Sequence, residues 1–207
     1  MRCFIFGALD VAQLLIAPQK DDMIIAADKG LKTLEKFSLL PTVIIGDFDS
    51  LGHVPESENV IKLPTQKDDT DTGYAIKYAL EKGCDSFIIY GALDGKLDLT
   101  MASIQLSCSL AQKGMKNIFI GASQKIASIN SSSLVFPASA RGRISVFAAE
   151  PSIVSETGLK YSLSSYPLTQ FFPLGVSNSF KNCKSRITAE KGTVTAIWDD
   201  DVFPEKI

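Results

Sequence analysis

Six short apolar runs in the first 120 residues constrain the fold of this 207-residue chain more than any other feature. They are "CFIF" (3–6), "MIIAA" (23–27), "TVIIG" (42–46), "NVIKL" (59–63), "SFIIYG" (86–91) and "NIFIG" (117–121). Most are apolar on consecutive residues, as strands are when both faces of a parallel sheet are covered. Several are rich in Ile, Val and Phe, which suit the pleated backbone. Helical patterns lie between them. "DTGYAIKYALEKG" (71–83) sets Tyr74, Ile76, Tyr78, Ala79 and Leu80 on a broad stripe and stops at Gly83. "DLTMASIQLSCSLAQKG" (98–114) does the same with Met101, Ile104, Leu106, Cys108 and Leu110, and stops at Gly114. Strand and helix in alternation predict an N-terminal α/β domain with a mostly parallel sheet flanked by helices.

After residue 122 the chain turns rich in Ser, Gly and Pro, and its apolar runs are separated by turn residues instead of helices. "RISVF" (143–147), "GLKYSL" (158–163), "SRITAE" (185–190) and "TVTAIW" (193–198) read as strands, and the Ser-rich patch at 128–133 as a turn. The expected division is an α/β domain over 1–122 and a smaller, sandwich-like all-β domain over 123–207.

Composition excludes several classes. A formal net charge of −2 offers nucleic acid no basic face. No apolar stretch approaches the roughly 18 residues of a membrane span, and Asp10 and Gln13 interrupt the N-terminal apolar stretch, so a strand and loop are expected there and no membrane partner. Cys3, Cys84, Cys108 and Cys183 form no C-x-x-C pair, which points to buried thiols and a reducing cytoplasm. The one histidine, His53, lies in a polar loop, so a Ser-His-Asp triad has one poor candidate. Any chemistry falls to carboxylates, lysines or a metal.

The carboxylates are arranged. Ligands of open parallel sheets bind outside the carboxyl ends of the strands, and there the chain places Asp28 after "MIIAA", Asp47 and Asp49 after "TVIIG", and Asp94 and Asp98 after "SFIIYG". Asp68, Asp69 and Asp71 precede a helix, where an Asp or Thr also caps free amides. If the backbone stays extended after Gly46, Asp47 and Asp49 face the same way, a geometry suited to Mg²⁺. For any single Asp a loop or cap role is the ordinary reading; four acidic strand ends on one rim favour a cation that holds phosphates. Familiar nucleotide motifs are missing: "GALDGK" is not a P-loop, and no G-x-G-x-x-G opens a helix after a strand.

Read in order, "AADKG" (26–30), "GDFDS" (46–50), "KDDTD" (67–71) and "DGKLDL" (94–99), followed by "TGLKYSL" and "GVSNSF", resemble the thiamine pyrophosphokinase family over nearly the whole chain. The second and third match that family's Gly-Asp-Phe-Asp-Ser and Lys-Asp-Asp-Thr-Asp segments without change. The resemblance implies transfer of a diphosphoryl group from ATP to the thiamine hydroxyl, giving thiamine diphosphate and AMP. It implies Asp47, Asp49 and Asp71 as Mg²⁺ ligands, with Asp71 also orienting the attacking hydroxyl and Asp98 as a second catalytic residue. Asp28, Asp68, Thr70, Lys96 and Asp98 would line the ATP side; Ser177 and Asn178 would meet thiamine, which in this family binds where two subunits meet, so the resemblance also implies a homodimer. Trp198 either stacks on thiamine or packs within its strand. Three positions depart from the family pattern: Lys29 and Lys96 replace a glycine and an arginine, and Leu99 replaces a histidine. These departures keep open another Mg²⁺-dependent phosphoryl or nucleotidyl transferase, or a non-catalytic thiamine or nucleotide binder.

Overall fold

The structure, a computed structural model, describes residues 1–49, 53, 55, 59–64 and 69–205. Its elements run β1 (Arg2–Phe6), β2 (Met23–Ala27), α1 (Gly30–Lys36), β3 (Val43–Gly46), β4 (Val60–Lys62), α2 (Asp71–Glu81), β5 (Ser86–Tyr90), α3 (Leu97–Gln112) and β6 (Lys116–Ile120). There follow β7 (Lys125–Asn130), β8 (Ser133–Phe136), β9 (Arg143–Ala148), β10 (Ser152–Thr157), β11 (Leu163–Leu168), β12 (Asn178–Ser179), β13 (Ser185–Lys191) and β14 (Thr193–Trp198). All six apolar runs of the first half are strands. The chain divides into two compact units, one of Met1–Thr100 with Phe119–Ala122, the other of Met101–Ile118 with Ser123–Ile207. Residues 101–118 thus group with the β-rich part, where the sequence alone assigned them to the α/β part.

In the first unit β5, β1, β2, β3 and β4 pair side by side, all parallel. Cys3 to Phe6 and Phe87 to Tyr90 are buried throughout, as strands covered on both faces must be. Helix α2 presents Gly73, Ala75, Ile76 and Ala79 to β1, β2 and β3. Its small residues let the helix sit close, and Gly83, at φ 82, ends it. The sequence reading did not single out α1, a helix of two turns between β2 and β3.

The second unit holds two antiparallel sheets, ordered β12-β9-β14-β7 and β11-β10-β13-β8. Alternate residues of β9, β10 and β13 are buried, including Ile144, Val146, Val154, Ile187 and Ala189, the pattern of half-covered sheets. Phe136 lies edge-on to Trp198 at 5.2 Å and tilted against Phe180 at 5.1 Å. "GLKYSL" is a turn up to Leu163, with one isolated bridge from Leu159 to Phe180. The reason is the side chain of Asn178. It accepts the Tyr161 N–H at 2.9 Å and donates to the Tyr161 carbonyl at 2.6 Å, taking both groups that a strand would have used. The Ser-rich patch is divided: 128–130 finish β7, and the chain turns at 131–132 before β8.

Helix α3 exists as expected but buries another face. Ser103, Ser107, Leu110 and Ala111 point inward, while Met101 is half exposed. The Ser107 hydroxyl lies 2.6 Å from Asn117 Oδ1 and 2.7 Å from Ser128 Oγ, and Ser128 reaches Thr195 Oγ1 at 2.8 Å. These hydroxyls satisfy one another, so a polar face can be buried at little cost.

One buried acid makes a pH prediction. Glu156 on β10 is 1% exposed, its Oε1 has no hydrogen-bond partner, and Oε2 accepts from Asn178 Nδ2 at 2.9 Å. Burial pushes its pKa from 4.5 up to about 7, and the Asn178 amide offsets only part of that. The folded state therefore binds the proton more tightly than the unfolded chain does. Stability falls as pH rises from about 4.5 to about 7, by about 3 kcal/mol in total, and is then level. Glu156→Gln should remove that slope and raise Tm at pH 8 relative to the parent, read by circular dichroism melts between pH 5 and 8.

Candidate active site

The carboxyl edge of the parallel sheet collects the acids. β2 ends at Ala27 and β3 at Gly46, adjacent and in parallel register, and the Asp28 N–H donates to the Ile45 carbonyl at 2.8 Å. Asp28 is 6% exposed, and its Oδ1 has no hydrogen-bond partner. A carboxylate oxygen buried without a partner is costly, and this one lies beside the end of β3. Helix α1 starts hard against this edge: a Cβ on Gly30 would stand 1.8 Å from the Phe6 carbonyl oxygen. Only a residue without a side chain can bring α1 there.

Asp47 and Asp49 do not share a face of an extended strand. Phe48 between them adopts φ 64 and turns its ring inward, where it is 2% exposed. The Asp49 N–H donates back to Asp47 Oδ1 at 3.2 Å. The pair is therefore presented from a tight left-handed turn, with Asp47 half-buried and Asp49 exposed. Asp28 at φ 51 and Asp94 at φ 66 turn the same way after β2 and β5. Each such non-glycine residue stores about 1–3 kcal/mol of strain, and that strain concentrates at functional sites.

Thr70 is the cap of α2, its Oγ1 accepting the Gly73 N–H at 3.0 Å. Asp69 backs it by accepting the Thr70 N–H at 2.8 Å and pairing with Lys77 at 2.8 Å. Asp71, half-buried, is the first residue of the helix and the acid of its first turn. Asp68 lies outside the described residues. Lys96 and Asp98 are exposed, and Asp98 Oδ1 accepts the Leu99 N–H at 2.9 Å at the start of α3. Among the described residues, no group of three or more His, Cys, Asp or Glu side chains stands close enough to hold a metal ion. The edge supplies hard oxygen donors of the kind Mg²⁺ takes, together with the unpartnered Asp28 oxygen. It does not close them into a finished cage. Mg²⁺ is commonly held by one or two carboxylates plus substrate phosphates, and the residues fit that mode.

In the second unit, Ser177 at φ 60 lines a cavity of about 150 Å³ with Gln124, Arg143, Ser145, Ile197, Trp198 and Asp199. Two residues expected beside thiamine are otherwise engaged. Asn178 is 5% exposed, and its amide is saturated by Glu156, Ser179 and both backbone groups of Tyr161. Trp198 is 1% exposed and donates Nε1–H to the Val202 carbonyl at 3.0 Å, so its ring has no open face for stacking. Sequence reasoning did not find the run Asp199–Asp201 as a clamp. Asp199 accepts the Arg143 N–H, Asp200 the Arg141 N–H, and Asp201 pairs with the buried Lys125.

The chain is similar to known proteins in sequence and in fold. The chain is 26% identical over 186 residues to thiamine pyrophosphokinase of Bacillus subtilis strain 168, covering 86% of this chain and 87% of that protein. A crystal structure of thiamine pyrophosphokinase from Bacillus subtilis superposes with a TM-score of 0.82 at 24% identity, covering 97% of this chain and all of the other. Thiamin pyrophosphokinase from Candida albicans does so at 0.77 and 16% identity, over 96% and 89%. At these identities the superpositions establish a shared fold. The family model of the thiamin pyrophosphokinase catalytic domain matches residues 16–120, the stretch carrying every acid of the sheet edge, and the chain belongs to the thiamin pyrophosphokinase family.

Proposed function

We infer that the chain transfers the diphosphoryl group of ATP to the hydroxyl of thiamine, giving thiamine diphosphate and AMP. The observation that carries this reading is the family match over residues 16–120 together with the acids that stretch delivers to one sheet edge. The thiamine oxygen forms a bond to the β-phosphorus, the bond from that phosphorus to the bridging oxygen of the α-phosphate breaks, and AMP leaves; the hydroxyl proton is lost. Such transfers depend chiefly on positioning and charge stabilisation. Mg²⁺, when bound, would neutralise the phosphate oxygens. Asp47 and Asp49 would hold that ion from the end of β3, and Asp28 would face the ATP from the end of β2. Asp71 completes the set from the first turn of α2 and orients the attacking hydroxyl. Thr70 keeps Asp71 in register through its cap, and Lys96 and Asp98 face the nucleotide from the start of α3.

On the acceptor side Ser177 meets thiamine, while Asn178 acts indirectly by holding the turn at 158–162. The working form is a homodimer, and the large exposed aromatics Phe171 and Phe172 are the kind of surface that association covers. The compartment is the cytoplasm, in keeping with Cys3 and Cys84, which are free, buried thiols. No helix among the described residues is long and apolar enough to cross a membrane. Incubation with ATP, Mg²⁺ and thiamine should release AMP and thiamine diphosphate in equal amounts, resolved by chromatography. ADP as the product, or turnover only with another alcohol in a panel of acceptors, would replace this reading with that of a different transferase.

A further inference from the structure

The amino edge of the parallel sheet, at the ends of β1, β2 and β5 opposite the acids, gathers sulfur. Cys3, the second residue of β1, and Met23, the first of β2, are partners in parallel register, so their side chains leave the same face of the sheet. Cys84 arrives two residues before β5, and its Sγ lies 3.8 Å from Met23 Sδ. Cys3 is fully buried, Cys84 is 3% exposed and Met23 is half-buried. All three belong to the first unit.

The backbone around the sulfurs is tied at the same points. The Arg2 guanidinium donates to both carboxylate oxygens of Asp22, at 3.0 and 2.6 Å, and so joins the residue before Cys3 to the residue before Met23. The Asp85 N–H donates to the Met1 carbonyl at 3.0 Å, which joins the residue after Cys84 to the start of β1. The Cys84 N–H donates to the Ala79 carbonyl in the last turn of α2, also at 3.0 Å. Three segments distant in sequence are thus clamped where their sulfurs meet, and donors fixed in advance lose little freedom when they bind. The neighbouring Cys84 and burial together push the Cys3 thiol up, while Cys3 draws the Cys84 thiol down, so Cys84 is the first of the two to offer a thiolate.

The donor set selects its ligand. Two thiols and a thioether are soft donors, the kind that favours Cu(I). Structural Zn²⁺ takes four ligands, and among the described residues no third His, Cys, Asp or Glu stands with the two thiols closely enough to hold a metal ion. Three sulfurs in a plane, each about 2.3 Å from a central ion as in a metal–thiolate bond, stand about 4 Å apart. The 3.8 Å between Cys84 and Met23 matches that separation.

We propose that Cys3, Met23 and Cys84 form a three-coordinate site for Cu(I). Binding makes three Cu–S bonds. Each cysteine binds as its thiolate, its proton going to solvent, and the thioether donates a lone pair. No electron moves, because the ion arrives and stays as Cu(I). From Cys3 to the carboxyl end of β1 is three residues, about 10 Å at the rise of a parallel strand, so the site stands apart from the acids and from the kinase reading.

The test titrates the reduced full chain, without oxygen, with Cu(I) supplied as its acetonitrile complex against the competing chelator bicinchoninate. The parent for this test carries Cys108→Ser and Cys183→Ser, which removes the other two thiols. One Cu(I) per chain is expected, with three sulfur neighbours by X-ray absorption spectroscopy. Cys84→Ser should abolish uptake. Met23→Leu, which keeps the bulk and loses the donor, should leave two sulfur neighbours and weaken binding about tenfold. Circular dichroism melts check that each variant folds. No uptake by the parent in competition with bicinchoninate overturns the site, as does parental uptake in a folded Cys84→Ser protein. Should Cys84→Ser fail to fold, the coordination number decides: the same number of sulfur neighbours in the parent and in Met23→Leu overturns the three-sulfur site.

Discussion

Asp47→Asn is expected to cut AMP formation about a thousandfold, the scale of removing a charge that stabilises the transition state from a preorganised site. The substitution isolates charge from shape. Asp47 Oδ1 accepts the Asp49 N–H, and an asparagine oxygen can accept it equally, so the left-handed turn through Phe48 should persist. The side chain is half-buried at the sheet edge, outside the core of β3, and Tm should change little. Titration with Mn²⁺ in the presence of a non-hydrolysable ATP analogue, followed by electron paramagnetic resonance, supplies a readout besides turnover. Weaker ion binding beside lost activity supports the charge role. Parental turnover in a folded Asp47→Asn protein would remove Asp47 from the reaction.

The largest structural effect is expected at Gly30. Gly30→Ala places a methyl group 1.8 Å from the Phe6 carbonyl oxygen and only 2.5 Å from its carbon. Backbone cannot move aside as a flexible side chain can, so α1 must shift or β1 must bend. A cost of about 4 kcal/mol or more is expected, a size reserved for overpacking and strain of this kind. Because α1 follows Asp28 by one residue, even a protein that survives should lose the geometry of the edge. Chemical denaturation followed by tryptophan fluorescence reads the stability; a loss under 1 kcal/mol would show that the approach of α1 to β1 is slack.

The two expectations differ in how far the sequence foretold them. Asp47 could be found from local order alone: a buried strand, a breaking glycine, then acids. Gly30 stands in "AADKG" looking like any glycine after a charged residue. Its necessity comes from β1, more than twenty residues earlier in the chain. The same contrast recurs in the second unit. "TVTAIW" is a strand by its own alternation, yet the burial of Trp198 depends on Phe136, distant in the chain, lying edge-on against it. Asn178 belongs to a segment that resembles a ligand contact, and the fold instead binds its amide to Glu156 and Tyr161. Helix α3 shows an apolar stripe in sequence, and the fold buries its serines because Asn117, Ser128 and Thr195 wait on the other side.

The residue order by itself determined the parallel strands, two of the three helices among the described residues, the acids at the strand ends and the family they announce. Those features are local: burial on both faces, helical period and loop chemistry are written in neighbouring residues. Tertiary structure alone decided that Thr70, backed by Asp69, caps α2, how Phe48 turns Asp47 against Asp49, that Trp198 is core, and that a cavity opens at the ends of β1 and β5. Each of these depends on a partner distant in the chain, and contact between distant residues is a property of the fold and not of any short stretch.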